Sequence, residues 1–135
     1  MEKRIIGFTG TQRGMSVNQF DALIRTLKIQ KDEIIEVHHG DCIGADAEFH
    51  GLVRLVIPEA IIIVHPPLDK SKRAFKLGDN QEEEKEYIDR NHDIVDASNE
   101  LIACPNENEE VTRSGTWATI RYAKKQGKKV SIIYP

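Results

Sequence analysis

The polar turn Arg113-Ser114-Gly115-Thr116 comes after an apolar segment and opens a helix-forming stretch that runs to Gln126. Backbone N–H groups at a helix start have no internal partner and sit at the positive end of the helix dipole. A Ser-Gly-Thr turn carrying an arginine is therefore suited to hold an anion, with phosphate the natural candidate. Two more polar turns follow apolar segments in the same way, Thr9-Gly10-Thr11-Gln12-Arg13 and His39-Gly40-Asp41-Cys42-Ile43-Gly44-Ala45-Asp46. The first joins backbone donors to the Arg13 cation, yet it matches neither a dinucleotide fingerprint nor a Walker A loop, which would need Gly-Lys-Ser/Thr. In the second, Asp41 and Asp46 are candidates to accept hydrogen bonds from ribose hydroxyls, while Asp46 equally suits a helix N-cap. The candidate ligand residues are thus Thr9, Gly10, Thr11, Gln12 and Arg13 in one turn, Gly40, Asp41, Gly44 and Asp46 in the next, and Arg113, Ser114, Gly115 and Thr116 in the third.

Other reactive side chains are less organised. His38, His39, Asp41, Cys42, Asp46 and His50 invite a metal reading, but His38 and His39 must face opposite sides of a strand and no compact ligand spacing appears. No metal and no cofactor is expected. Cys42 and Cys104 are too few for a disulfide framework and read as free thiols near strand ends. Arg73 and Arg90 join Arg13 and Arg113 as arginines that could reach a pocket rim, and Trp117 and Phe75 are candidates to stack on a base. The net charge of −3 argues against a protein that binds DNA mainly through phosphates. Glu82-Glu83-Glu84, Lys124-Lys125 and Lys128-Lys129 read as solvated helix faces and ends.

These turns need a frame. At 135 residues the chain suits one domain, residues 1–135. Its apolar runs are short, and the start Met1-Glu2-Lys3-Arg4 leads straight into a strand, so neither a membrane span nor a signal peptide is expected and a cytosolic location follows. Five segments read as strands: Arg4 to Phe8, Glu33 to Val37, Ala60 to Val64, Glu100 to Ala103 and Lys129 to Ile133. Their Ile/Val density suits strands buried on both faces. Helical patterns alternate with them. Ser16-Val17-Asn18-Gln19 is a capping box followed by Phe20, Leu23, Ile24 and Leu27 on one face. Further helices are expected over Ala45 to Val56, Gln81 to Ala97 and Ser114 to Gln126, with Gly127 placed to end the last. The alternation predicts an α/β fold, a three-layer Rossmann-like sandwich on a five-stranded, mainly parallel sheet of order 3-2-1-4-5. Ligands of such sheets sit beyond the strand carboxyl ends, where strand order reverses. The proline-led stretch from Pro66 to about Asn80 leaves one such end, either as a lid over that pocket or as an ordinary surface loop.

The segment Gly40-Asp41-Cys42-Ile43-Gly44-Ala45-Asp46-Ala47-Glu48-Phe49-His50 resembles the Gly-x-x-x-Gly-Ile-Asp-x-x-x-His stretch of the DNA-processing protein A family. Arg113-Ser114-Gly115-Thr116-Trp117-Ala118-Thr119, with Ala123 and Gly127-Lys128-Lys129-Val130, is similar to that family's Ser-Gly-Ser/Thr-Leu-x-Thr-Ala helix and final strand, and Arg90-Asn91 also fits. The resemblance implies a Rossmann-like domain of the SLOG superfamily, which includes LOG phosphoribohydrolases and YpsA-like proteins, with a nucleotide or nucleotide-like ligand at these loops. Thr119 occupies the place of the LOG catalytic glutamate.

Three functions follow as expectations. The first is a sensor or carrier that binds a nucleotide or phosphorylated small molecule. The second is an enzyme cleaving a nucleotide N-glycosidic bond, for which Asp41, Asp46 or Glu48 would have to act on the sugar. The third is single-stranded nucleic-acid binding, disfavoured by the net charge. A homo-oligomer is compatible with each.

Overall fold

The Ile- and Val-rich segments form parallel strands, and the amphipathic stretches between them form helices. The computed structural model describes residues 3–135; Met1 and Glu2, on which the expectation of no signal peptide partly rests, lie outside the described residues. In chain order the elements are β1 (Arg4–Gly10), α1 (Val17–Gln30), β2 (Ile34–His39), α2 (Ala45–Val56), β3 (Ile61–Val64), a 3₁₀ turn (Lys70–Lys72), β4 (Asn80–Gln81), α3 (Tyr87–Asp96), β5 (Glu100–Cys104), α4 (Gly115–Lys125) and β6 (Lys129–Ile132). They build one sheet of order β4-β3-β2-β1-β5-β6 in which every neighbouring pair is parallel.

The sheet has six strands rather than the expected five. The order 3-2-1-4-5 survives as β3-β2-β1-β5-β6, and β4 extends it beyond β3. The cause is Asp79, whose carboxylate accepts the Ile62 N–H at 2.8 Å while its own N–H donates to Ile62 O at 2.8 Å. Glu82 N then donates to Val64 O at 2.9 Å, so the chain runs along the otherwise unpaired edge of β3. That pairing also delays α3, which begins at Tyr87 instead of Gln81.

Helices α1 and α2 pack on one face of the sheet, and α3 and α4 on the other. Ile6 and Phe8 of β1 and Val37 of β2 are fully buried under the first pair, with Leu23, Leu27, Phe49 and Val53 from the helices. The Phe8 and Phe49 rings stack at 4.3 Å, which adds about 0.5–1.5 kcal/mol beyond area burial. All five residues of β5 are buried, as a strand covered on both faces requires. The α1 capping box forms as expected: Ser16 Oγ accepts Gln19 N–H at 3.1 Å, and Gln19 Oε1 accepts Ser16 N–H at 3.0 Å. Gln19 is itself buried, and its Nε2 donates to Pro105 O and Ile133 O, tying α1 to the ends of β5 and β6. No helix among the described residues is long and apolar enough to cross a membrane.

Candidate functional site

Strands β2 and β5 flank β1, and the chain leaves β1 toward α1 on one face and leaves β5 toward α4 on the other. The β1 and β5 carboxyl ends stay together, since Gly10 pairs with Cys104 and Thr11 N donates to Cys104 O at 3.0 Å. Between the two departing loops lies a cleft of about 440 Å³, within the size range of small-molecule sites.

Ten of the thirteen candidate residues line this cleft: Thr9 to Arg13 on one side, Asp46 at the base, and Arg113 to Thr116 on the other. In the first turn Thr11 Oγ1 accepts the Arg13 N–H at 3.1 Å, which tightens the backbone around it. In the other, Ser114 caps α4 by accepting Trp117 N–H at 3.3 Å, leaving the N–H groups of Gly115 and Thr116 at the helix mouth. Arg13 and Arg113 are exposed and have no carboxylate partner among the described residues.

Gly40, Asp41 and Gly44 do not line the cleft; they build the loop behind it. Gly44 has φ +90°, and a Cβ there would overlap the Gln12 carbonyl; the same close approach lets Ala45 N donate to Thr11 O at 2.9 Å. Asp41 is fully buried with φ +52° and anchors the proline-led connection: Arg73 Nε donates to Oδ2 at 3.0 Å, Lys76 N to Oδ1 at 2.9 Å, and Ala74 N to its carbonyl at 2.7 Å. Held this way, the Pro66 to Asn80 stretch contributes no residue to the cleft and is not a lid over it. Phe75 lies there under Arg73, and Trp117 is buried in the core between β5 and α4, so neither ring faces the cleft. Glu48 is also spoken for, accepting Met15 N–H at 2.7 Å.

Other residues complete the wall, among them Arg90, one of the arginines expected at the rim, and Cys42 of the second turn. Tyr87, Arg90 and Asn91 reach the cleft from α3, and Cys42, Asn106, Glu107 and Val111 from loops. The i, i+3, i+4 spacing of the first three was the available signal, because it places them on one helix face. Arg90 is buried with its Nη2 donating to Cys42 Sγ at 3.3 Å and its Nη1 3.9 Å from Asp46 Oδ2. Burial pushes the Asp46 carboxyl up to about 6, an effect that Arg90 opposes. Burial and the adjacent Asp46 push the Cys42 thiol to about 11, so it remains a neutral thiol. Glu107 is oriented by Trp117 Nε1, which donates to Oε1 at 3.0 Å. Thr119 turns away, its hydroxyl donating to Gly115 O at 2.8 Å inside α4.

The buried histidines divide into two pairs. His38 meets His65 at 2.7 Å on one face of the sheet, and His39 meets His50 at 2.9 Å on the other. No group of three or more His, Cys, Asp or Glu side chains that could hold a metal ion occurs among the described residues.

The fold is a Rossmann-like α/β sandwich. No protein-family model matches the sequence, and a search of curated proteins gives no match. Solved structures do. A molybdenum cofactor binding protein from the phototrophic bacterium Rippkaea orientalis superposes with a TM-score of 0.76 at 19% identity, covering 100% of this chain and 78% of its own. A Moco carrier protein from Chlamydomonas reinhardtii superposes at 0.68 and 18% identity, covering 99% and 78%. DNA processing protein A from Streptococcus pneumoniae gives 0.70 and 17% identity, covering 98% of this chain and 50% of the larger protein. At these identities the likeness is one of fold.

Proposed function

We propose that the protein binds a nucleotide or nucleotide-derived small molecule in the cleft between the β1 and β5 loops, as a sensor or carrier. The observation that carries this reading is the pairing of two arginines without carboxylate partners, Arg13 and Arg113, with the open N-terminus of α4 across one cleft. Phosphate is the ligand group this combination favours: backbone N–H groups of Gly115 and Thr116 donate to it, the helix dipole attracts it, and the guanidinium groups offset its charge. Structural neighbours named for binding or carrying molybdenum cofactor support a small-molecule cargo, and a further neighbour is a DNA processing protein. The net charge of −3 weighs toward the small molecule over an oligonucleotide.

Thermal-shift screening of nucleoside mono- and diphosphates, followed by calorimetry, tests the proposal. A ligand at a hundredfold excess over its Kd stabilises the fold by about 2.7 kcal/mol, and Arg13→Ala and Arg113→Ala each weaken it. The reading fails if no phosphorylated small molecule stabilises the protein while a single-stranded oligonucleotide binds with steep salt dependence.

A further inference from the structure

Helix α2 turns an apolar face to solvent as well as to the core. Phe49, Leu52 and Val53 are buried on its inner side, while Ala47, Gly51 and Leu55 follow at i, i+4 and i+8 along the outer one. Leu55 is 77% exposed. Gly51 is exposed too, and no atom of the described residues lies within 4 Å of where its Cβ would be. Glycine is the weakest helix former after proline, and neither packing nor a positive φ within this chain calls for one at position 51. What a bare Cα provides is close approach by another backbone.

The charges beside this face select what approaches. Glu48 and Arg54 stand three residues before and three after Gly51, so they occupy opposite flanks of the face at equal distances along the axis. Arg54 is on the flank of the 72–79 connection, its Nη2 donating to Leu77 O at 3.2 Å and its Nη1 to Asp79 Oδ2 at 3.1 Å. Glu48 is on the α1 flank, where its Oε1 accepts the Met15 N–H at 2.7 Å. A two-fold axis through Gly51, perpendicular to the helix, exchanges the ends of α2 and its flanks together. It sets Glu48 of each copy against Arg54 of the other, and Ala47 against Leu55, small against large. An isologous contact requires such a self-complementary patch, whereas a partner of another sequence does not. We infer that the outer face of α2 docks a second copy of this chain, with the two α2 helices antiparallel and crossing at Gly51.

The flanks match in the same way. Val17 shares a face of α1 with Ile24 and Lys28, which border Leu55 in the groove between the two helices. The two-fold axis lays the 72–79 connection of one copy over α1 of the other, bringing Leu77 toward Val17. Leu77 is 87% exposed and Val17 77%, so with Leu55 three of the four most exposed large apolar side chains among the described residues fall within one contact. None of these residues lines the cleft, and the inference is independent of the proposed function.

Sedimentation velocity over a concentration series tests it on the wild type, Gly51→Glu, Glu48→Lys and Arg54→Glu, with circular dichroism checking the fold of each. The wild type is expected to sediment as a concentration-dependent dimer and Gly51→Glu, which brings two carboxylates to the axis, as a monomer. Glu48→Lys and Arg54→Glu are each expected to be monomeric alone and to recover a dimer when mixed, because only the mixed pair sets opposite charges at both contacts. A wild type that is monomeric at every concentration overturns the inference, as does a dimer that persists in any of the three variants. A mixture of folded variants that stays monomeric overturns the antiparallel register. If a charge variant does not fold, Gly51→Glu carries the test, since its Cβ enters open space.

Discussion

Gly40 lies directly against Arg90: a Cβ at position 40 would overlap Arg90 Nη1 and come within 3.0 Å of Asp46 Oδ2. The glycine therefore serves the cleft from behind, by letting a buried guanidinium lie flat against the end of β2. Gly40→Ala forces Arg90 outward and separates it from Asp46. Expected results are a stability loss of about 1–3 kcal/mol in urea unfolding and weaker ligand binding by calorimetry. Unchanged binding would mean that Arg90 does not contribute to the wall.

Asp46 is held at a cost to the fold. Its folded pKa of about 6 lies above the ordinary 3.8, so the native state binds the proton more readily and neutral pH penalises it. Asp46→Asn removes the buried charge and raises stability near pH 7 by an amount on the order of 2 kcal/mol, a gain that fades as pH falls through 6 toward 4. Urea midpoints of the two proteins measured across that range check both the sign and the window.

The histidine pairs act in the opposite direction. His39 Nδ1 accepts the Asp41 N–H at 2.9 Å, so its proton sits on Nε2 and is donated to His50 Nδ1. Burial first, then the charges of His50, His65, Arg90 and His38, hold His39 well below the ordinary 6.5. Burial and His38 lower His65 to about 4, against Asp93, and burial with Arg54 and Lys76 lowers His50, against Asp41 and Asp79. Histidines kept neutral in the native state take up protons first in the unfolded chain. Stability is full above about pH 6.5 and falls as pH drops toward 4, outweighing the single opposing contribution of Asp46. Thermal midpoints that stay level from pH 7 to 4.5 would contradict this.

Trp117 is the only tryptophan of the chain, and its indole N–H is bonded to a cleft residue, Glu107. Ligand binding therefore changes its emission, and Glu107→Ala removes most of that change. A titration followed at the tryptophan wavelength, with a ligand that does not absorb there, provides the check.

The main strands and helices were legible because Ile/Val runs and helical spacing are strong, local signals. β4 was not, since Asn80 and Gln81 are polar and only two residues long, and their pairing depends on Asp79 meeting Ile62 across the fold. The donor turns at Thr9 to Arg13 and Arg113 to Thr116 could be placed because a strand end followed by a helix start fixes where they point. Asp41 looked the same as Asp46 in sequence, yet its left-handed backbone turns its carboxylate toward Arg73. Arg90 could be placed at a pocket rim from its type, but its burial could not be read, because only the missing Cβ of Gly40, distant in sequence, gives it room.

The most direct measurement is a ¹H–¹⁵N correlation spectrum of the labelled protein titrated with a nucleoside monophosphate, compared with Gly115→Val. A Cβ at position 115 meets no protein atom within 4 Å, so the valine fills the helix mouth without disturbing the fold. The expected result is a downfield shift of the Gly10, Gly115 and Thr116 amides as phosphate accepts from them, lost in Gly115→Val. Amides that stay unmoved while the nucleotide binds, or shifts that persist in the valine variant, would contradict a phosphate site at the start of α4.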